Sequence, residues 1–265
     1  MAIQAEASTP SRRAKWLAAL GFGPKRETRA PDGMRIYTVG DIHGCAAVLD
    51  RLHARIEADA ENFSGEKVIV YLGDYVDRGP DSRGVIERLI DAVPKGFSAR
   101  YVKGNHDQAL LDFLANAETY RAWRGFGAPE TLLSYGVRPP LFDDSEKFEE
   151  ARLALKAQLP ASHLAFLRAL ESVIVLGDYA FVHAGIRPGT SLEDQTDEDL
   201  LWIRDEFLNC TTLHEKVVVH GHTPISAPIR LKNRIGVDTG AYATGKLSCA
   251  VLEGTECRFL QAAAG

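Results

Sequence analysis

From Met34 onward the chain alternates between two hydrophobic rhythms. Met34–Val39 reads as a strand, and Ala46–Ala60 places its apolar residues on one helical face. Lys67–Leu72 is a nearly unbroken apolar run, the kind buried on both faces of a sheet. Ser82–Ala92 reads as a helix, Ala99–Lys103 as a third strand and Asp107–Asn116 as a further helix. This succession predicts a layered α/β fold with parallel pairing.

Residues 117–170 break the rhythm. They carry few strand signals and two helical windows, Phe148–Gln158 and Ser162–Leu170, so a mostly helical insertion is expected. Two short strands follow, Val173–Leu176 and Tyr179–Val182, joined by the hairpin dipeptide Gly177-Asp178. The last quarter is strand-rich: Lys216–Val219, Arg234–Val237, Leu247–Leu252 and Glu256–Leu260. A second, more antiparallel sheet is their expected home. Residues 1–33 hold two short basic runs, Pro10, Pro24, Pro31 and one amphipathic piece. They read as a disordered or loosely docked leader before a domain at 34–260, with a docking helix around Lys15–Leu20 as the alternative.

Composition narrows the function. With 265 residues, 45% of them apolar, the chain can bury a sizeable core. Its 31 Lys and Arg against 36 Asp and Glu give a net charge of −5, which argues against a nucleic-acid polymer as partner. A locally positive site for small anions stays open. No window reaches the roughly 18 apolar residues of a membrane span, and Trp16–Phe22 is short for a secretory signal. Cys45, Cys210, Cys249 and Cys257 form no CxxC pair, which fits reduced thiols and a cytoplasmic location. Cys249 and Cys257 could meet across a hairpin, but no disulfide is expected.

The chemistry-bearing residues cluster at strand exits. Asp41 and His43 follow the first strand in Gly40-Asp41-Ile42-His43-Gly44. Asp74, Asp77 and Arg78 follow the second in Gly73-Asp74-Tyr75-Val76-Asp77-Arg78-Gly79. Asn105, His106 and Asp107 follow the third behind Gly104; His183 lies in His183-Ala184-Gly185, and His222 in His220-Gly221-His222-Thr223. Layered α/β proteins bind ligands at the carboxyl ends of their strands, so five exits can aim polar groups into one crevice. Oxygen and imidazole donors without thiolate suit Mn, Fe or Zn. Taken singly, Asp81 and Asp107 read as helix caps, and His53, His163 and His214 as structural.

Read in order, GDIHG, GDYVDRG, GNHD, HAG and GHT resemble the five motifs of the calcineurin-like metallophosphoesterases. GDYVDRG with GNHD is most similar to the phosphoprotein phosphatase branch, which holds protein serine/threonine phosphatases and symmetrical dinucleoside tetraphosphate hydrolases. The resemblance implies an α-β-β-α sandwich of two mixed sheets flanked by helices. It also implies two transition-metal ions, with Mn preferred and Fe, Zn, Co or Ni admitted. Asp41 and His43 would hold the first ion, Asp74 would bridge, and Asn105, His183 and His222 would complete the second. His106 would be the general acid, oriented by Asp77. Arg78, Arg204 and Lys103 would meet phosphate oxygens.

Three departures from the family pattern stand out. Lys103 replaces the usual Arg and loses its planar fork. Asp107 stands where many protein phosphatases have Glu. Pro224 stands where other branches place another His, as expected for this branch, and His220 is read as supporting. The implied activity is hydrolysis of Ser/Thr phosphoesters, with Tyr also admitted, by direct attack of a metal-activated hydroxide. The alternative is symmetrical cleavage of dinucleoside tetraphosphates. That enzyme needs a base-stacking pocket, for which Trp123, Phe126, Tyr135 and Phe142 are candidates; their other reading is a small core of the insertion. The acidic run Asp194, Asp197, Glu198, Asp199 reads as a solvated loop or helix start.

Overall fold

The computed structural model describes residues 27–265, and these hold ten strands in two five-stranded sheets. In the first sheet β1 (Met34–Val39), β2 (Glu66–Tyr71) and β3 (Ser98–Tyr101) run parallel. Helices α1 (Ala46–Ala60) and α2 (Ser82–Asp91) connect them, and α3 (Asn105–Ala115) follows β3. The observed elements match the sequence reading to within a turn. One difference matters: α3 begins at Asn105 rather than Asp107, which puts Asn105 and His106 on its first turn.

The four strands of the last quarter do not share a sheet as expected. β9 (Lys246–Glu253) lies antiparallel against β1, with Val251 opposite Tyr37, and β10 (Glu256–Ala263) pairs with β9 at the sheet edge. The second sheet has the order β4 (Ile174–Leu176), β5 (Tyr179–Phe181), β6 (Val217–His220), β8 (Arg234–Gly236), β7 (Ile229–Arg230). Its centre, β5-β6-β8, is parallel, and only its two edge pairs are antiparallel. A parallel neighbour needs a long crossover, and the segment between β5 and β6 is long enough to supply one. In the β9–β10 hairpin Cys257 faces Leu252 and Cys249 faces Leu260, so the two thiols do not meet; all four cysteines are free.

Burial shows four layers. Ile36, Val70, Leu72, Phe181, Val219, Ile235 and Leu252 fill the space between the sheets. Leu49, Leu52, Ile56, Val85 and Leu89 seal the helical face of the first sheet against Tyr37, Ile69 and Tyr71. Val182 and Val218 pack outward on Ile186, Leu200 and Phe207. The insertion is helical, with α4 (Tyr120–Trp123), α5 (Ala128–Ser134), α6 (Ser145–Gln158) and α7 (Ala161–Arg168). Its Trp123, Leu132, Tyr135 and Phe148 join the same apolar cluster as α1 and α2, so it does not form a separate small core. Phe142 is 78% exposed and belongs to no core.

Residues 1–26 of the expected leader, including the piece around Lys15–Leu20, lie outside the described residues. Arg29 and Ala30 are pinned to the domain. The Arg29 amide donates to Asp178 Oδ2 (3.1 Å), and the Ala30 amide donates to the Gly254 carbonyl (2.8 Å).

His53 on α1 is buried and shares a 2.8 Å hydrogen bond with the Tyr71 hydroxyl. Burial lowers its pKa to about 4. The unfolded chain therefore binds a proton that the folded chain refuses. Stability falls as pH drops through about 6.5 and levels off below about 4, by up to about 3 kcal/mol. Urea midpoints across this range should show the slope in the native chain and a weaker slope in His53→Gln.

Candidate active site

The strand exits converge as the spacing predicts. Asp41 and His43 leave β1, Asp74, Asp77 and Arg78 leave β2, Asn105 and His106 open α3 after β3, His183 follows β5 and His222 follows β6. Asp41, His43, Asp74, Asp77, Asn105, His106, His183 and His222 are all buried. Among the described residues five non-glycine positions have positive φ: His43, Asp74, Asp77, Arg78 and His222. Each such residue costs on the order of 1–3 kcal/mol, and such strain gathers at functional sites. The motif glycines let the turns stack. A Cβ on Gly79 would lie 2.0 Å from the His43 carbonyl oxygen, and one on Gly73, at φ +97°, would lie 2.5 Å from the Gly104 nitrogen.

Asp74 is the hub. Its Oδ2 lies 3.4 Å from His43 Nε2, 3.4 Å from His183 Nε2 and 3.8 Å from His106 Nε2. Its Oδ1 accepts the His106 backbone N–H at 3.0 Å. Asn105 Oδ1 lies 2.9 Å from His183 Nε2 and 3.0 Å from His222 Nδ1, and those two ring nitrogens are 3.1 Å apart. Two donor groups therefore share Asp74: His43 with His106, and His183 with His222. Asp41 joins less directly, with both carboxylate oxygens accepting the His222 backbone N–H at 3.2 and 3.0 Å.

The tautomers suit cation binding. His43 Nδ1 lies 2.8 Å from the Val76 carbonyl, and His183 Nδ1 lies 2.8 Å from the Leu72 carbonyl. A carbonyl only accepts, so each Nδ1 carries the proton and each Nε2 offers its lone pair toward Asp74. Burial pushes the His43 pKa down to about 3 and also lowers those of His183 and His222. These rings are neutral near pH 7 and could serve as metal ligands. Burial raises Asp74, but His183, His106 and His43 outweigh it and hold the carboxyl below its ordinary range. Burial, with repulsion from Asp238 and Asp74, holds Asp41 well above its ordinary value. Carboxylates crowded in a buried crevice call for a positive charge, and the O and N donors fit transition-metal cations.

Beside the hub lies a dyad. His106 Nδ1 donates to Asp77 Oδ2 at 2.7 Å, leaving Nε2 toward Asp74. Burial lowers the His106 pKa, but Asp74 and Asp77 together raise it above the ordinary value. Asp77 is itself held by three groups the sequence reading missed. Thr131 Oγ1 donates to its Oδ1 (2.6 Å), Trp123 Nε1 donates to its Oδ2 (2.8 Å), and its own amide donates to Ser82 Oγ (3.0 Å). The insertion thus fixes the dyad. Asp107 does more than cap α3. Its carboxylate accepts the amides of Gly104, Asp74 and Tyr75, tying two strand exits together. Asp238, after β8, was also missed. It is buried, raised to about 6 mainly by burial, and its charge is felt by Asp41.

Cations and aromatics rim the site. Arg78 bridges His43 Nε2 and His106 Nε2, each at 3.1 Å, with its guanidinium over Tyr242. Arg204 donates to Thr223 Oγ1 (3.2 Å), next to His222. Lys103 forms an ion pair with Asp197 (3.2 Å). His220 turns away, its ring against Phe207 and its Nε2 beside Gly236. Of the four aromatics considered for base stacking, only Phe126 faces the hub, 5.6 Å from the His106 ring and 5.6 Å from Trp202. Trp202 meets His222 edge-on at 6.1 Å, and Trp202 and Tyr242 are 37% and 42% exposed.

Comparison with known proteins agrees with this geometry. The chain is 26% identical over 231 residues to the asymmetrical bis(5'-nucleosyl)-tetraphosphatase PrpE of Bacillus mycoides, covering 81% of this chain and 89% of that one. It is 27% identical over 229 residues to serine/threonine-protein phosphatase 1 of Salmonella typhimurium, covering 84% and 94%. A solved metallophosphoesterase from Sphaerobacter thermophilus shares the fold, with a TM-score of 0.51 at 21% identity over 88% of this chain and 90% of that one. Residues 34–253 match the family model described as calcineurin-like phosphoesterase, and the chain belongs to that family of phosphoester hydrolases.

Proposed function

We propose that the chain is a phosphoprotein phosphatase for Ser/Thr phosphoesters that also accepts Tyr phosphoesters. In this reading Asp41, His43, Asp74, Asn105, His183 and His222 would hold two cations, Mn²⁺ foremost. Such a pair supplies a Lewis acid and draws the pKa of water from about 15.7 toward 7. The observation that carries the reading is the His106–Asp77 dyad beside the shared Asp74, with Arg78 across from it. His106 Nε2 gives its proton to the departing oxygen, while Asp77 keeps the ring in the matching tautomer. Arg78 leaves the two imidazoles when their Nε2 atoms are engaged, which frees its fork for phosphoryl oxygens. Arg204 supports it from the His222 side.

The rim favours a phosphoprotein. Trp123 and Tyr135 are buried in the main core and Phe142 is out in solvent, so the insertion supplies one base-sized aromatic face, Phe126. That face, paired with Trp202, keeps one second reading in play: dinucleoside tetraphosphate cleavage. The tetraphosphatase relative above is named for asymmetrical rather than symmetrical cleavage. A panel of phosphoserine, phosphothreonine and phosphotyrosine peptides with diadenosine tetraphosphate, run with Mn²⁺, separates them. Turnover of the dinucleotide alone overturns the first reading.

Because Phe126 lies against the proton-donating ring, it stands on the leaving-group side. Phe126→Ala should lower kcat/KM for p-nitrophenyl phosphate roughly two- to tenfold, the worth of one aromatic pair. The same variant should leave a phosphoserine peptide nearly unchanged. Equal losses on both substrates would assign Phe126 a purely structural part.

A further inference from the structure

A cavity of about 1020 Å³ opens at the end of the second sheet away from the Asp74 cluster. The direction follows from the strands. β5 and β6 run parallel from Tyr179 and Val217 toward His183 and His222, and the cavity is lined by Tyr179 and Val217. β7 and the turn after it supply Arg230, Leu231 and Lys232, and Leu213 lines the same cavity. Leu213 and Leu231 are 68% and 44% exposed, so this is apolar surface open to solvent.

Two observations point to a ligand. Tyr179 is 1% exposed, yet its hydroxyl has no hydrogen-bond partner among the described residues. A buried phenol normally finds one. Arg230 lines the same cavity as Tyr179, and its charge opposes the rise that burial gives the phenol pKa. Second, among the described residues neither Arg230 nor Lys232 has a carboxylate within ion-pair distance. Arg230 spends one N–H on the Thr255 carbonyl (3.2 Å). Glu27 is the one carboxylate among the lining residues, so the cations outnumber it. An apolar floor, an unanswered hydroxyl and two unpaired cations make one amphipathic site.

We propose that this cavity is a binding site, separate from the metal centre, for a small amphipathic anion. Its apolar or aromatic body rests on Leu213, Val217 and Leu231. Its single anionic head faces Arg230 and Lys232, and the Tyr179 hydroxyl donates to it.

The probe is 8-anilinonaphthalene-1-sulfonate, an aromatic body with one sulfonate, titrated into the full chain loaded with Mn²⁺. The expected result is a saturable, one-to-one fluorescence rise that excess inorganic phosphate does not displace. An Arg230→Ala/Lys232→Ala double variant should bind roughly tenfold more weakly. Tyr179→Phe should bind a few-fold more weakly with no fall in thermal midpoint, because its hydroxyl has no partner among the described residues to lose. Hydrolysis of p-nitrophenyl phosphate should be unchanged in both variants. Displacement by phosphate would place the probe at the metal centre and overturn the proposal. So would unchanged affinity in the double variant, a lowered midpoint in Tyr179→Phe, or no binding by the full chain because residues 1–26 cover the cavity.

Discussion

Asp74→Asn is expected to empty the site of both cations and abolish hydrolysis together. The substitution keeps an oxygen for the His106 backbone N–H, which Asp74 Oδ1 now accepts at 3.0 Å, so the turn can survive. What it removes is the charge at the point nearest His43, His183 and His106. The Asp74 carboxyl is held below its ordinary range despite its burial. Its negative charge, faced by imidazole lone pairs, is what makes the crevice attractive to cations. Changing a group that merely supports a ligand costs roughly 10- to 100-fold in metal affinity, and loss of a shared ligand should exceed that for both ions. Elemental analysis beside an activity assay checks it. A variant that keeps one ion per chain and partial turnover would show that the two donor groups do not share Asp74.

The second large effect belongs to His106. His106→Ala should leave metal content close to the native value and lower kcat on an alkyl phosphate roughly 10²–10⁴-fold, the usual contribution of a general acid. The loss should shrink on p-nitrophenyl phosphate, whose leaving group needs little protonation. Asp77→Asn tests the same dyad through pH. Asp74 and then Asp77 raise the His106 pKa, and its protonated form is the donor. Activity therefore persists below that pKa and falls as pH rises through it. Without the Asp77 charge the fall moves to lower pH. An unshifted basic limb in Asp77→Asn would separate Asp77 from the proton donor. A His106→Ala variant that loses its metal would instead make His106 a ligand, a possibility its place in the His43–Asp74 group keeps concrete.

The convergence at the hub was legible because each exit carries its donors within a few residues of a strand end and beside a glycine. Local text was enough there. The home of β9 was not. Lys246–Glu253 is buried along nearly its whole length because it sits inside a sheet between β1 and β10. A continuous apolar run says that a strand is covered on both faces, but not which strand it pairs with. Asp238 went unnoticed because it follows a three-residue strand without a histidine beside it. The supports of Asp77 were hidden for another reason. Trp123 and Thr131 lie 46 and 54 residues away in sequence. Their side chains look like ordinary core or turn residues until the insertion folds back onto the dyad. Lys103 shows the limit of reading a cation beside a motif, since its ion-pair partner Asp197 lies 94 residues away in sequence.

The account rests on a cation pair held around Asp74, and metal titration of the purified chain tests it most directly. Metal-free protein given Mn²⁺ in steps should gain activity toward p-nitrophenyl phosphate and reach its plateau at two ions per chain, with both bound ions absent from Asp74→Asn. Full activity at one ion per chain, or full activity in the metal-free protein, would contradict it.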